Sequence, residues 1–205
     1  MTLIKKTQFI LGLLIYCLVS FVSPVKADDS ANLPPKAAVK QTIDLIVEAV
    51  SEFKGNEHKI QRRSKIREII NPRFDFAKMA QLSLGAAWNT ITPAEQKDYV
   101  SVFSDLLSKT YMVKVETIEP GMVTVESERI EEGNLKASVK TLVKSKGDFF
   151  PIDYRLVNDN GQWKVYDVVI ENIGLVVNYR NEFASIIRKD TFNGLMEQLR
   201  KKAAN

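Results

Sequence analysis

The chain has 205 residues, among them 29 Lys or Arg, 25 Asp or Glu and one cysteine, and its net charge is +4. A single cysteine excludes a disulfide framework and a cysteine-based zinc site. Three of the cations (Lys5, Lys6 and Lys26) precede residue 28, so the remainder carries a net charge of only +1. That balance argues against a nucleic-acid surface, which needs many Lys and Arg side chains to neutralise phosphates.

The start of the chain predicts export. Two lysines precede an apolar run from Phe9 to Val22, and Ala27 ends a typical cleavage site. The run is too short for a membrane-spanning helix, which needs about 18 or more apolar residues. We therefore expect residues 1–27 to be a cleaved secretory signal peptide, residues 28–35 to be a disordered mature N-terminus, and residues 36–205 to form a single domain.

Apolar residues then recur at spacings of three and four, which predicts four successive helices. The fourth has the clearest start signal in the chain, because Thr92 can cap it, Pro93 fits its first position and Glu95 closes a capping box. The second is strongly basic. The expected helices cover residues 36–53, 59–70, 74–88 and 92–112.

After Pro120-Gly121 the apolar pattern alternates with a period of two, which predicts strands. Glycine-containing turns separate four such segments, so the strands should form an antiparallel meander. A sheet of this kind buries one face and needs helices to cover it. Two further helices, from Leu175 to Arg188 and from Asp190 to Lys202, add to the cover. The predicted fold class is α+β: a curved four-stranded antiparallel sheet with helices packed on one face, enclosing an apolar pocket.

Apolar and aromatic side chains on both layers are the candidates for lining that pocket. The helices contribute Phe76, Met79, Tyr99, Phe103, Leu106 and Tyr111, and the sheet contributes Ile152, Tyr154, Leu156, Trp163, Val165 and Val169. The two sets either close against each other as a dry core or stand apart around a cavity, and the pattern allows both.

The sequence offers little means of catalysis. His58 is the only histidine and lies in a polar stretch, so it reads as a surface residue. The carboxylate pair Glu126 and Glu128 sits on a strand edge, where solvent explains it. Tyr154 could pair with Asp153 as a buried acid, but adjacent strand residues point to opposite faces. We therefore expect a protein that is not an enzyme and holds no metal or cofactor.

Several stretches, taken in order and spacing, resemble the MlaC family of periplasmic phospholipid carriers, also known as toluene-tolerance auxiliary components. One departure lies at Glu171-Asn172-Ile173-Gly174, where the family pattern has glycine nearer residue 172 and a small hydroxyl residue near 174. The matching stretches are Phe74-Asp75-Phe76 with Met79, Leu84 to Trp88, Thr92 to Gln96, Phe103, Leu106-Leu107, Thr110-Tyr111, Trp163 to Val168, Leu175-Val176, Asn178 to Arg180, Phe183, Leu195 and Leu199.

This resemblance implies a periplasmic carrier with phospholipid as its cargo and no other cofactor. Its partners would be an outer-membrane lipoprotein–porin complex and an inner-membrane ABC transporter with an MCE-domain component. The resemblance also implies that acyl tails enter a pocket between sheet and helices.

Release of a tightly held lipid requires a docked partner that offers apolar contact, so a docking surface is expected beside the pocket mouth. Its candidates are Arg63, Arg67, Tyr179 and Arg180, with a structural ion pair as the alternative role of Arg180.

Two other functions stay open from the sequence. One is a carrier of another apolar envelope lipid, such as a hopanoid, in the same fold. The other is an envelope scaffold with a solid interior that acts only through protein contacts. A bound lipid would separate both carriers from the scaffold.

Overall fold

The computed structural model describes residues 33–204, so the predicted signal peptide lies outside the described residues. None of the described helices is long and apolar enough to cross a membrane. In chain order the elements are α1 (Pro35–Glu52), α2 (Lys59–Ile70), α3 (Phe76–Leu84), α4 (Pro93–Val115), β1 (Val123–Ile130), β2 (Lys136–Ser145), β3 (Asp148–Asp159), β4 (Gln162–Ile170), β5 (Ile173–Gly174) and α5 (Leu175–Ala204).

The strands form one antiparallel sheet in the order β1-β2-β3-β4-β5, and neighbours along the chain are neighbours in the sheet. This confirms the predicted α+β class and the meander. The sheet has one strand more than predicted, because the chain turns back after β4 and pairs Ile173 with Ile170. Such a two-residue strand is too short to leave an alternating pattern in the sequence.

The β4–β5 turn coincides with the departure from the family pattern. Glu171 and Asn172 have φ angles of 48° and 67°, the left-handed region that glycine adopts most easily and asparagine tolerates. A Cβ on Gly174 would lie 2.9 Å from Oδ2 of Asp167, whose Oδ1 accepts the Val176 amide at 3.0 Å. Glycine at 174 therefore lets a buried carboxylate reach the first turn of α5, where it complements the helix dipole.

The helix start signals of the sequence are confirmed, with one correction. The Thr92 hydroxyl accepts the Glu95 amide, and the Glu95 carboxylate accepts the Thr92 amide at 2.8 Å, which completes the capping box. Of the predicted disordered segment 28–35, residues 28–32 lie outside the described residues, and the prediction is wrong at its last residue. Pro35 is the first residue of α1 and is buried, because its fixed φ suits the first helical position.

One predicted helix is interrupted, and one predicted break between helices is confirmed. The helix expected over 74–88 is α-helical only in α3, because Gly85 adopts a φ of 57° and the chain continues as a 3₁₀ helix over Gly85–Thr90. At the C-terminus the expected pair of helices is confirmed. Asp190 and Thr191 have non-helical backbone angles, which divide α5 into two halves close to the predicted boundary.

The apolar residues form two cores that share Phe74. The helical core packs α3, α4 and α5 together around Phe103 and Phe183, both with 0% exposure. The sheet core packs α1 against the strands. Its buried members are Ala38, Val39, Ala137, Val139, Leu156, Trp163 and Val165.

A buried ion cluster joins the α1–α2 hairpin to the end of α4. The Glu116 side chain is only 9% exposed and contacts Arg62 at 3.0 Å and Arg63 at 2.8 Å. Arg62 also donates to the carbonyl oxygens of Phe53 and Gly55. Hydrogen bonds from Arg63, burial and the charges of both arginines act on Glu116, and their net effect lowers the pKa of its carboxyl.

We expect Glu116→Gln to lower the free energy of unfolding by about 1–2 kcal/mol at neutral pH, since two charge-assisted contacts are lost from a partly screened site. A carboxyl with a lowered native pKa contributes stability above its unfolded pKa and loses it as the pH falls. The difference in the free energy of unfolding between variant and parent should therefore decrease below about pH 4. Urea unfolding at several pH values measures this difference, with the exposed Glu119→Gln as control. A difference that stays constant at acid pH would contradict the role given to the Glu116 carboxylate.

Candidate functional site

One face of the sheet, here called the inner face, is the face that the helices cover. Cross-strand pairing places Tyr154 opposite Val139 on β2 and opposite Val168 on β4, so the three share this face. Ile152 and Leu156 follow on β3 at intervals of two.

The helical cover of the inner face is incomplete. Within residues 33–204, α1 packs over β1 and β2, while α3 and α5 pack on β4. Among the described elements, the helices lie closest to the strands on either side of β3, the central strand. Leu156, at one end of β3, is buried in the cluster that contains Ala38 and Val39 of α1, so the remainder of the strand is the part to examine.

The exposure of the inner-face side chains changes along β3. At one end Leu156 is 1% exposed, enclosed by the sheet core. Farther along the same face, Phe150, Ile152 and Tyr154 each remain partly exposed. We call these three residues the β3 strip. It is a partly exposed apolar surface on the helix-covered face of the sheet.

A groove of about 310 Å³ lies at the β1 edge of the sheet. Ile43 and Val47 of α1 and Val123 of β1 supply its apolar wall. Val123 shares a cross-strand row with Val143 and Phe150, so the groove lies at the same end of the sheet as the β3 strip. Acidic side chains of α1, Asp44 among them, stand beside it.

Tyr154 differs from the other deeply placed tyrosines. Burial raises the pKa of its hydroxyl to about 12. The described residues offer this hydroxyl no hydrogen bond, yet they contain no buried side-chain oxygen or nitrogen that lacks a partner. The Tyr154 hydroxyl is therefore surrounded by protein and still reaches open space.

The predicted pocket residues divide between the two cores. Leu156, Trp163 and Val165 are buried in the sheet core, with Tyr154 partly buried beside them. The helical candidates lie elsewhere, against α3, α4 and α5, so the expected facing of the α4 stripe and the sheet is wrong. The helical core contains Phe76, Met79, Tyr99, Phe103, Leu106 and Tyr111.

Val169 requires a second correction, because it lies on the outer face, paired with Asp153. Leu156 pairs with Val165 but Arg155 pairs with Asp167, so Tyr166 is an extra residue in β4. A β-bulge of this kind shifts the alternation by one residue. Val168 and Ile170 take the inner positions instead.

Hydrogen bonds explain the tyrosines of the helical core. The Tyr99 hydroxyl lies 2.6 Å from Oγ of Ser83, both buried. Burial raises the pKa of Tyr111 and of Tyr179. The rings of Tyr99 and Tyr179 pack with Phe103 and Phe183 at centroid distances of 5.2 to 6.4 Å. All three tyrosines belong to the helical core.

The expected docking residues do not form one surface. Arg63 is held by Glu116, and Arg67 donates to the Ser108 hydroxyl at 3.1 Å. Tyr179 is 9% exposed inside the helical core, which corrects its assignment to a docking surface. Arg180 donates to the Leu82 carbonyl oxygen at 2.8 Å, so the suggested ion pair is replaced by a bond to the backbone.

Sequence reasoning missed several inner-face residues. Phe150 could have been found, because it continues the alternation of Ile152 and Tyr154 by one step. Val143 was already on the alternating pattern of β2. Val168 and Ile170 could not have been found, because nothing in the sequence marks the bulge.

The described residues contain no cluster of three or more His, Cys, Asp or Glu side chains suited to a metal.

The structure is an α+β domain in which helices cover one face of an antiparallel sheet and leave the β3 strip partly exposed. The chain belongs to the MlaC family, whose model, "MlaC protein", matches residues 36–201.

Two named relatives are similar in sequence. The intermembrane phospholipid transport system binding protein MlaC of Haemophilus influenzae is 19% identical over 85% of this chain and 84% of its own length. The toluene tolerance protein ttg2D of Pseudomonas putida is 22% identical, over 48% of this chain and 46% of its own length.

A solved structure is similar as well. It is the phospholipid-binding protein from Ralstonia solanacearum, determined in complex with a phospholipid. The TM-score is 0.74 at 27% identity, and the match covers 84% of this chain and 98% of that one. The whole described domain thus has a counterpart in a lipid-bound protein.

Two truncations on β3 test whether the β3 strip is less tightly packed than the sheet core. Leu156→Ala should lower the free energy of unfolding by about 3 kcal/mol, because it opens a cavity in a packed core. Ile152→Ala should cost only about 1 kcal/mol, because its side chain loses contacts on one side alone. Both residues lie on the same strand and the same face, so chemical unfolding compares them directly. Equal costs would mean that the strip is packed.

Proposed function

We propose that this protein is a phospholipid-binding carrier of the cell envelope, and that the acyl tails lie over the β3 strip. The observation that carries the proposal is the apolar surface of Phe150, Ile152 and Tyr154, left uncovered on the helix-covered face of the sheet. The lipid bound by the similar Ralstonia solanacearum protein and the transport role named for the Haemophilus influenzae relative support it.

The energetics of such a site favour transport through water. Each buried methylene is worth about 0.8 kcal/mol, so a tail of some fifteen methylenes gives an upper bound of roughly 12 kcal/mol. The same magnitude makes release into water slow. Transfer must therefore take place at a docked acceptor that offers comparable apolar contact. The protein acts by binding and release, and the proposal includes no catalytic step.

The proposal also includes a compartment and two partners. The basic and apolar start of the chain supports export across the inner membrane, with function in the periplasm. The partners proposed are an outer-membrane lipoprotein–porin complex and an inner-membrane ABC transporter with an MCE-domain component. Family membership supports both, since lipid of either membrane must reach the carrier through a donor or acceptor that shields its tails.

Native mass spectrometry of the mature protein, purified without detergent from a host with a cell envelope, tests the proposal. We expect a phospholipid mass at near-stoichiometric occupancy, and extraction then identifies the lipid. A hopanoid-like mass would mean that the protein is a carrier, but of a lipid other than a phospholipid. A lipid-free protein that also fails to take lipid from vesicles would leave the envelope scaffold as the function.

A substitution that fills the space over the β3 strip should reduce lipid binding. Ile152→Trp places a larger side chain on the β3 strip, so lipid occupancy should fall at least about tenfold, which corresponds to 1.4 kcal/mol. Val157→Trp lies on the outer face of the same strand and should keep normal occupancy. Circular dichroism verifies that both variants fold. Normal occupancy in a folded Ile152→Trp variant would place the lipid elsewhere.

A further inference from the structure

Tyr154 carries a free hydroxyl in an apolar environment. Among the described residues, the buried hydroxyl of Tyr99 lies 2.6 Å from Oγ of Ser83. The Tyr154 hydroxyl has no such partner, although the protein around it raises its pKa to about 12. A phenol at that pKa stays protonated at physiological pH and is available as a donor.

The surroundings of Tyr154 limit which ligand group can take this hydrogen bond. Its cross-strand neighbours on the inner face are Val139 and Val168. Two hydroxyls of β2 share this face. That of Thr141 already donates to the Ile152 carbonyl oxygen at 2.7 Å, and that of Ser145 lies at the far end of the strand, opposite Asp148. Pairing places no Lys or Arg on the inner face of β2, β3 or β4. Beside Tyr154 the sheet therefore presents one free neutral donor between apolar side chains.

That chemistry matches a neutral acceptor better than an anionic one. A phosphate brought here would lose its hydration with no cation to compensate for it. A hydrocarbon chain would leave the hydroxyl unpaired, which also costs free energy. An ester carbonyl at the head of an acyl chain is neutral, accepts a hydrogen bond and is followed directly by the methylenes that the β3 strip would cover.

We propose that the Tyr154 hydroxyl donates a hydrogen bond to an ester carbonyl of the bound lipid, and thereby makes the protein prefer ester-linked over ether-linked lipids. This inference rests on the proposed function, since it names the contact that a phospholipid would make beside the β3 strip. Tyr154 is then a specificity residue of the lipid site.

The test compares two ligands in two proteins. Delipidated protein is mixed with vesicles that hold equal amounts of a diester and a diether phosphatidylcholine with the same chains, and native mass spectrometry reads the ratio that loads. A hydrogen bond of ordinary net strength predicts a preference for the diester of about three- to tenfold in the parent. In Tyr154→Phe the ratio should approach one. Tyr166→Phe, at the bulge on β4, should keep the parent ratio.

A stability measurement separates this role from a structural one. Tyr154→Phe removes a hydroxyl that bonds to nothing in the protein, so the melting temperature of the delipidated variant should equal or exceed that of the parent. A lower melting temperature would assign the hydroxyl a structural partner and overturn the inference.

The outcomes also separate the inference from the proposed function. Equal loading of both lipids by the parent, or an ester preference that survives in Tyr154→Phe, would overturn the role of Tyr154 and leave the carrier intact. If neither lipid loads into the parent, the carrier proposal itself fails, and the role of Tyr154 fails with it.

Discussion

The sheet is wider than one helix can cover, and this mismatch shapes the whole domain. Neighbouring strands lie about 4.8 Å apart and a helix with its side chains is about 10 Å across, so one helix covers about two strands. Here α1 covers β1 and β2, while α3 and α5 lie on β4. The central strand is left between the two covers. A single additional helix over β3 would make the interior solid.

The helical core and the β3 strip occupy different parts of the molecule. The helical core is closely packed around Phe103 and Phe183, and the Tyr99 hydroxyl within it is bonded to Ser83. Phe74 contacts both this core and the sheet core, and Glu116 holds the α1–α2 hairpin to the end of α4. Within residues 33–204 these contacts hold the helices in place while Phe150, Ile152 and Tyr154 stay partly exposed.

The two corrections to the candidate site have local causes. Val169 was expected inside because strict alternation from Val165 leads to it, but the bulge at Tyr166 moves Val168 and Ile170 inward. The α4 stripe was expected to face the sheet, yet it packs on α3 and α5. A helical stripe indicates that a face is buried and gives no information on which partner buries it.

The sequence by itself determined the α+β class, the meander, the capping box of α4 and the break in α5, because each depends on contacts between residues near in the chain. It also gave the apolar character of Ile152 and Tyr154. Only the tertiary structure decided that these two side chains stay partly exposed, that Tyr179 is buried, that Arg63 pairs with Glu116, and that the Tyr154 hydroxyl has no partner among the described residues. An apolar side chain has the same sequence pattern in a dry core and beside an open space, and the difference depends on where distant elements come to rest.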